Sequence, residues 1–207
     1  STRVQWIALD LAKQDAPFAL YRFCKGKRVD LLVNNAGFGL FGNLWETDLQ
    51  EELELLDVNI RALHILTKLF VKEFRRRNSG ILLNVASSAG FLTGPLMASY
   101  YASKNYVVRL SLALAEELRR AGSSVSVSVL CPGPVDTNFN NRAGVSFHVQ
   151  ALDSKTVARY AIDGALHGKT ILVPGLLMKL SLFGARLVPQ KLLAAVTYHI
   201  QEQKQKP

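Results

Sequence analysis

A chain of 207 residues, 49% apolar and 20% charged, can bury a sizeable core, and this composition excludes a disordered protein. Its formal charge of +9 and pI near 9.7 suit anionic ligands, but no helix pairs basic residues with base-reading side chains, which argues against nucleic-acid binding. No secretory leader is visible and no apolar run reaches the roughly 18 residues of a membrane span, while Cys24 and Cys131 lack metal-ligand or disulfide spacing; a cytoplasmic, metal-free protein is expected.

Residues 4–9 make a short strand-like run ended by Asp10, and residues 11–24 carry helical spacing at Ala16, Ala19, Leu20 and Phe23. Residues 29–33 read as a strand buried on both faces, broken by Asn34-Asn35-Ala36-Gly37. Thr47-Asp48-Leu49-Gln50 fits a capping box and predicts a long helix over 47–77, whose last turn, Arg75-Arg76-Arg77, complements the helix dipole. A strand over 81–85, a loop, a helix over 98–121 with Gly122 as C-cap, and a strand over 125–130 follow. The Pro/Gly loop 131–137 leads into a loop or lid over 138–150, a helix over 154–167 and a last strand over 170–173. This alternation predicts an α/β fold with a parallel sheet and helices on both faces, forming one domain over residues 1–207. In such sheets ligands bind beyond the carboxyl ends of the strands, where Asp10, Asn34 to Gly37, Ala86 to Ala89 and Cys131 to Thr137 all fall.

Tyr100 and Lys104 are four apart on a helix and share one face. A phenol near its ordinary pKa of about 10 is a poor proton-transfer group at neutral pH, and a cation one turn away is expected to lower it. Tyr101, the rival tyrosine, has Asn105 at that distance and gains no charge. Ser87 lies thirteen positions before Tyr100, in a loop after a buried strand, where its hydroxyl could hold the same substrate oxygen. Taken alone, it would pass as ordinary turn chemistry. Asn59 is placed inside a helix, where asparagine has poor propensity, so an inward amide is expected there.

Asn34-Asn35-Ala36-Gly37, Asp57-Val58-Asn59, Asn84-Val85-Ala86-Ser87-Ser88-Ala89-Gly90, Tyr100-Tyr101-Ala102-Ser103-Lys104 and Pro132-Gly133-Pro134-Val135-Asp136-Thr137 together resemble the short-chain dehydrogenase/reductase family, in order and spacing. The resemblance implies a Rossmann-like, doubly wound sheet in three αβα layers, and an NAD(P)-dependent oxidoreductase that interconverts a secondary alcohol and a carbonyl. It implies Tyr100 as general acid or base, Lys104 tuning it and holding the nicotinamide ribose, Ser87 polarising the substrate oxygen, and Asn59 anchoring a proton relay. It further implies Asp10, Leu11, Asn35, Ala36 and Gly37 on the adenosine side of NADP or NAD, with NADP favoured. Pro132, Gly133, Val135 and Thr137 would lie on the nicotinamide side. The family's opening strand, glycine-rich turn and helix have no counterpart in these residues. About two strand–helix units, each within a βαβ unit of some 30 residues, are missing from the pattern. An N-terminally incomplete chain is therefore expected, with doubtful cofactor binding by these residues alone.

Residues 176–200 are apolar with Lys179, Arg186 and Lys191 interspersed, and are split by Pro189. Core or dimer packing, or a lid over a lipophilic carbonyl or alcohol substrate, is the preferred reading, and peripheral membrane contact the alternative. The resemblance also implies a homodimer or homotetramer. Two rival functions stay open: a non-catalytic dimerising fragment, and an epimerase or dehydratase using the same tyrosine–lysine pair.

Overall fold

The structure, a computed structural model, describes residues 3–136 and 151–203. Four strands, β1 (Leu31–Asn34), β2 (Ile81–Val85), β3 (Ser126–Leu130) and β4 (Ile171–Leu172), form a wholly parallel sheet in the order β1-β2-β3-β4. The connections are helical. They comprise α2 (Leu49–Leu56), a π-helical turn (Asp57–Ala62) and α3 (Leu63–Arg76), then α4 (Ala98–Arg120) and α5 (Ser154–Leu166). Helix α1 (Ala16–Phe23) precedes the sheet, and α6 (Leu176–Ala185) and α7 (Gln190–Glu202) follow it.

Both sheet faces are apolar because successive strand side chains point to opposite sides. In β2, Leu82 packs with Phe70 and Phe74 of α3 and Leu118 of α4, whereas its neighbour Leu83 packs with Val157, Ala161 and Ala165 of α5. Fully burying one such leucine or phenylalanine stabilises the fold by about 1.5–3 kcal/mol. The αβα layering expected from the alternation is therefore present.

Three local expectations are corrected. Residues 4–9 form no strand: Val4 and Trp6 are 78% and 82% exposed, and among the described residues β1 pairs only with β2. A strand needs a neighbour to satisfy its peptide groups, and among the described residues none lies beside this segment. Helix α1 starts at Ala16 rather than residue 11, because Asp10 closes a turn with its carboxylate on the Ala12 N–H (3.0 Å) and Pro17 occupies the first helical turn. The long second helix is capped by Asp48, whose Oδ1 accepts from the Glu51 N–H at 3.0 Å. Thr47 bonds the Glu52 carboxylate instead.

A buried polar ladder crosses the sheet where β1 and β2 are in register at Asn34 and Asn84. Asn34 Nδ2 donates to Asn84 Oδ1 (2.9 Å) and approaches Thr67 Oγ1 (3.2 Å), and Asn84 Nδ2 donates to Ser111 Oγ (2.9 Å). These bonds fix α3 and α4 against the strand ends that carry the site.

Candidate active site

The carboxyl ends of β2 and β3 open onto a cavity of about 520 Å³. Ser87 follows β2 in extended conformation and N-caps a short 3₁₀ turn, its Oγ accepting from the Ala89 N–H at 3.2 Å. The Ser88 N–H donates to the Pro132 carbonyl at 2.8 Å, clasping the loop after β2 to the Pro/Gly loop after β3. Tyr100 and Lys104 stand in the first two turns of α4 and are buried. The Ser87 and Tyr100 hydroxyls are hydrogen-bonded to each other, and the Lys104 ammonium donates to the Val85 carbonyl at 3.1 Å. Ser87, Tyr100, Lys104, Asn35, Gly37, Pro132, Gly133 and Val135 thus line one cavity, as their sequence positions suggested.

Electrostatics differ from the expectation. Burial pushes the Tyr100 phenol up to about 12, and the hydrogen bond from Ser87 only partly opposes this. Burial pushes Lys104 down to about 8, with the nearby Cys131 thiol acting in the opposite direction. Desolvation thus dominates at the phenol, and Tyr100 is a neutral proton donor at neutral pH.

Asn59 sits on the π-helical turn, a feature common at functional sites. Its side chain reads both polar groups of the Phe38 backbone, accepting from the N–H at 3.1 Å and donating to the carbonyl at 2.9 Å. It also lies 3.0 Å from Ser103 Oγ. The amide is a clasp between the loop after β1 and α4. Gly37 runs close beside it: a Cβ there would lie 2.9 Å from Asn59 Oδ1 and 3.1 Å from Lys104 Nζ. Only glycine leaves that approach open.

The remaining expected residues lie apart. Asp10 and Ala36 are exposed, Leu11 is half-buried, and none of the three lines the cavity. Thr137 and the loop or lid over 138–150 lie outside the described residues. Sequence reasoning missed Met97 and Gln201 and set Tyr101 aside as a rival without a neighbouring charge; all three also line the cavity. Gln201 could have been found from the Leu193, Thr197, Gln201 spacing that forms the buried stripe of α7, but two polar residues out of three disguise it.

Among the described residues, no group of three or more histidine, cysteine, aspartate or glutamate side chains could hold a metal ion. A nicotinamide cofactor is a different matter: the small-residue cradle at Gly37, the Lys104 ammonium beside it and the Pro132–Val135 wall fit a nicotinamide riboside. The glycine-rich turn that would hold its pyrophosphate is not in the sequence.

Comparison with known proteins agrees with this geometry. The short chain dehydrogenase family profile matches residues 1–145, and the chain belongs to that family. Among curated relatives it is 30% identical to mouse estradiol 17-beta-dehydrogenase 11 over 174 residues, covering 83% of this chain and 58% of that protein. It is 35% identical to the CLA biosynthesis dehydrogenase/reductase of Lactiplantibacillus plantarum over 113 residues, 54% of this chain and 40% of that one. The chain therefore spans about half the length of the curated relatives it matches. A short-chain dehydrogenase from Sphingobium yanoikuyae in complex with NADPH superposes with a TM-score of 0.74 at 25% identity, over 86% of this chain and 71% of that one. One from Burkholderia phymatum in complex with NAD gives 0.76 at 24% identity, over 86% and 73% respectively, a likeness of fold.

Proposed function

We propose that the protein containing this chain is an NAD(P)-dependent oxidoreductase interconverting a secondary alcohol and a carbonyl, with Tyr100 as its acid or base. The observation that carries the proposal is the hydrogen-bonded Ser87–Tyr100 hydroxyl pair in the wall of a cavity, with the Lys104 amine buried one turn further along α4. Two hydroxyls converging on one point can grip a carbonyl oxygen, and a neutral phenol can protonate it as negative charge develops. Relatives named as dehydrogenases or reductases, and solved structures named with NADPH or NAD, support the choice of chemistry.

In this reading Asn35 and Gly37, expected on the adenosine side, join Lys104 and Pro132 to Val135 at the nicotinamide end of the cofactor because they line the same cavity; the cofactor when bound supplies the hydride. Ser87 orients the substrate oxygen, and Tyr100 delivers its proton during reduction or withdraws one during oxidation. Lys104, held at the Val85 carbonyl and with its amine pushed down to about 8, takes part in replenishing that proton. Asn59 keeps the loop after β1 pressed towards Lys104. Asp10, Leu11 and Ala36 are assigned to the more distant adenosine contacts, and Thr137 to the nicotinamide carboxamide, by motif alone.

The intact arrangement speaks against a non-catalytic role, and no observation favours the epimerase or dehydratase. The test is nicotinamide absorbance with a panel of ketones and alcohols, using NADH and NADPH in parallel. Turnover by the unaltered protein and loss in Tyr100→Phe is the expected result. Equal rates in both would overturn the proposal.

For the tail, the described residues contain no helix long and apolar enough to cross a membrane. Helix α6 and the turn after it nevertheless expose Leu176, Leu177, Leu180, Phe183 and Leu187 beside Lys179 and Arg186. Dimer packing or a lid is the preferred reading of this face from sequence; because its exposed apolar residues stand beside exposed Lys179 and Arg186, we propose the alternative, peripheral contact with an anionic bilayer. Co-sedimentation with phosphatidylserine vesicles is expected, and should be lost in Leu177→Glu/Phe183→Glu; binding that survives both changes rules the assignment out.

A further inference from the structure

Helix α7 delivers an unused polar group to the cavity. Its buried stripe, Leu193, Thr197 and Gln201, is spaced at one side chain per turn. Thr197 Oγ1 reaches the Thr93 carbonyl at 2.6 Å, and Gln190 Oε1 accepts from the Thr93 hydroxyl at 3.2 Å, so α7 is pinned along the loop that leads into α4. Gln201 is only 1% exposed and lines the cavity. Its Nε2 donates to the Tyr101 hydroxyl, while its buried Oε1 has no hydrogen-bond partner among the described residues. A buried carbonyl oxygen left unmatched is costly, and native structures rarely keep one without a use.

Tyr101 is fixed as firmly as its partner. Its ring packs against Gly94, where a Cβ would fall 2.1 Å from the ring, and stands edge-on to Tyr100 with centroids 6.0 Å apart. Having accepted from Gln201, its hydroxyl keeps its own proton to donate. The pair thus offers one acceptor, Gln201 Oε1, and one donor, the Tyr101 O–H. Turning the amide over exchanges these roles but leaves one of each. A hydroxyl group, itself both donor and acceptor, is the complement of such a pair. Besides Ser87 and Tyr100 the cavity wall carries Asn35, Ser88, Lys104 and Ser154 among apolar residues that include Met97, Ala89, Val135 and Val157.

We infer that Gln201 and Tyr101 form a second substrate subsite that binds a hydroxyl a few bonds from the reacting carbon, so that the favoured substrates are hydroxyketones and diols. This rests on the oxidoreductase reading of the same cavity. Neither residue takes part in proton transfer; both select the substrate.

Two measurements test it on the protein in its full natural length. In the first, kcat/KM is compared for 2-hydroxycyclohexanone and cyclohexanone. The unaltered protein is expected to favour the hydroxyketone by about tenfold or more, and Gln201→Met and Tyr101→Phe to abolish the preference while retaining turnover of cyclohexanone. In the second, titration calorimetry compares 1,2-cyclohexanediol with cyclohexanol, which needs no turnover. A diol preference lost in Gln201→Met supports the subsite even where no hydride transfer is detected, a result that would sink only the oxidoreductase reading. Equal affinity for both alcohols, or a preference unchanged in Gln201→Met and Tyr101→Phe variants that melt as the parent does, overturns the subsite. Should Gln201→Met fail to fold, Tyr101→Phe, which removes only a hydroxyl, decides by the same ratios.

Discussion

The ends of β2 and β3 and the segment before β1 were both expected to meet the cofactor, yet they are built to different standards. At β2 and β3, Ser87, Tyr100 and Lys104 are locked by loop-to-loop and side-chain hydrogen bonds within a sheet covered on both faces. Ahead of β1, Trp6 and Asp10 lie on the surface, and Val33 within β1 is 41% exposed. Proton-transfer geometry thus depends on packing supplied by this chain's own residues, whereas Asp10 and Leu11, expected on the adenosine side, sit in a segment without comparable support around it.

The sharpest way to break this contrast is Tyr100→Phe, which removes one hydroxyl. Turnover should fall about a thousandfold, as for loss of a general acid, with little change in melting midpoint. A large loss of stability would show that the phenol is structural. Next in size is Lys104→Met. Below pH 8 the native lysine carries its full burial penalty. Between about pH 8, its folded value, and 10.5, the folded chain releases a proton that the unfolded chain retains, so stability rises with pH relative to the variant. Chemical denaturation across that window should reveal a relative gain of about 3 kcal/mol, levelling off above it. Asn59→Leu should cost about 2 kcal/mol in the same assay, because it strands the buried Phe38 peptide groups. Smallest of all, Trp6→Ala and Asp10→Ala should each change stability by less than about 0.5 kcal/mol, in keeping with their exposure. A larger effect from either would erase the distinction between the two regions.

The same contrast governs how much was legible beforehand. The bounds of β2 and the first residue of α4 match the pattern closely, because a strand buried on both faces and a long helix leave strong local signals. Ser87, Tyr100 and Lys104 were legible for a related reason: their spacing survives folding as a shared helix face and an adjacent loop. Residues 4–9 were misread because a strand exists only through a neighbour, and pairing is not local. The cap at Asp48 was misassigned by one position because Thr47 is an equally good capping residue. Gln201 escaped notice because its meaning lies in a bond to Tyr101, one hundred residues earlier in the chain. The raised phenol of Tyr100 was invisible as well, since the charge of Lys104 is written in the sequence and the depth of burial is not.

The π-helical turn that carries Asn59 also sets a phase. A wide turn of this kind corresponds to one extra residue in an α-helix, and each α-helical residue advances the side chains by about 100°. Removing a single residue between Asp57 and Ala62 would restore a regular helix, but α2 and α3 could then no longer both present their present faces. Either Leu55 would leave the core or the Leu66, Phe70 and Phe74 row would turn from the sheet. The chain should therefore tolerate many substitutions in this stretch more readily than it tolerates one deletion.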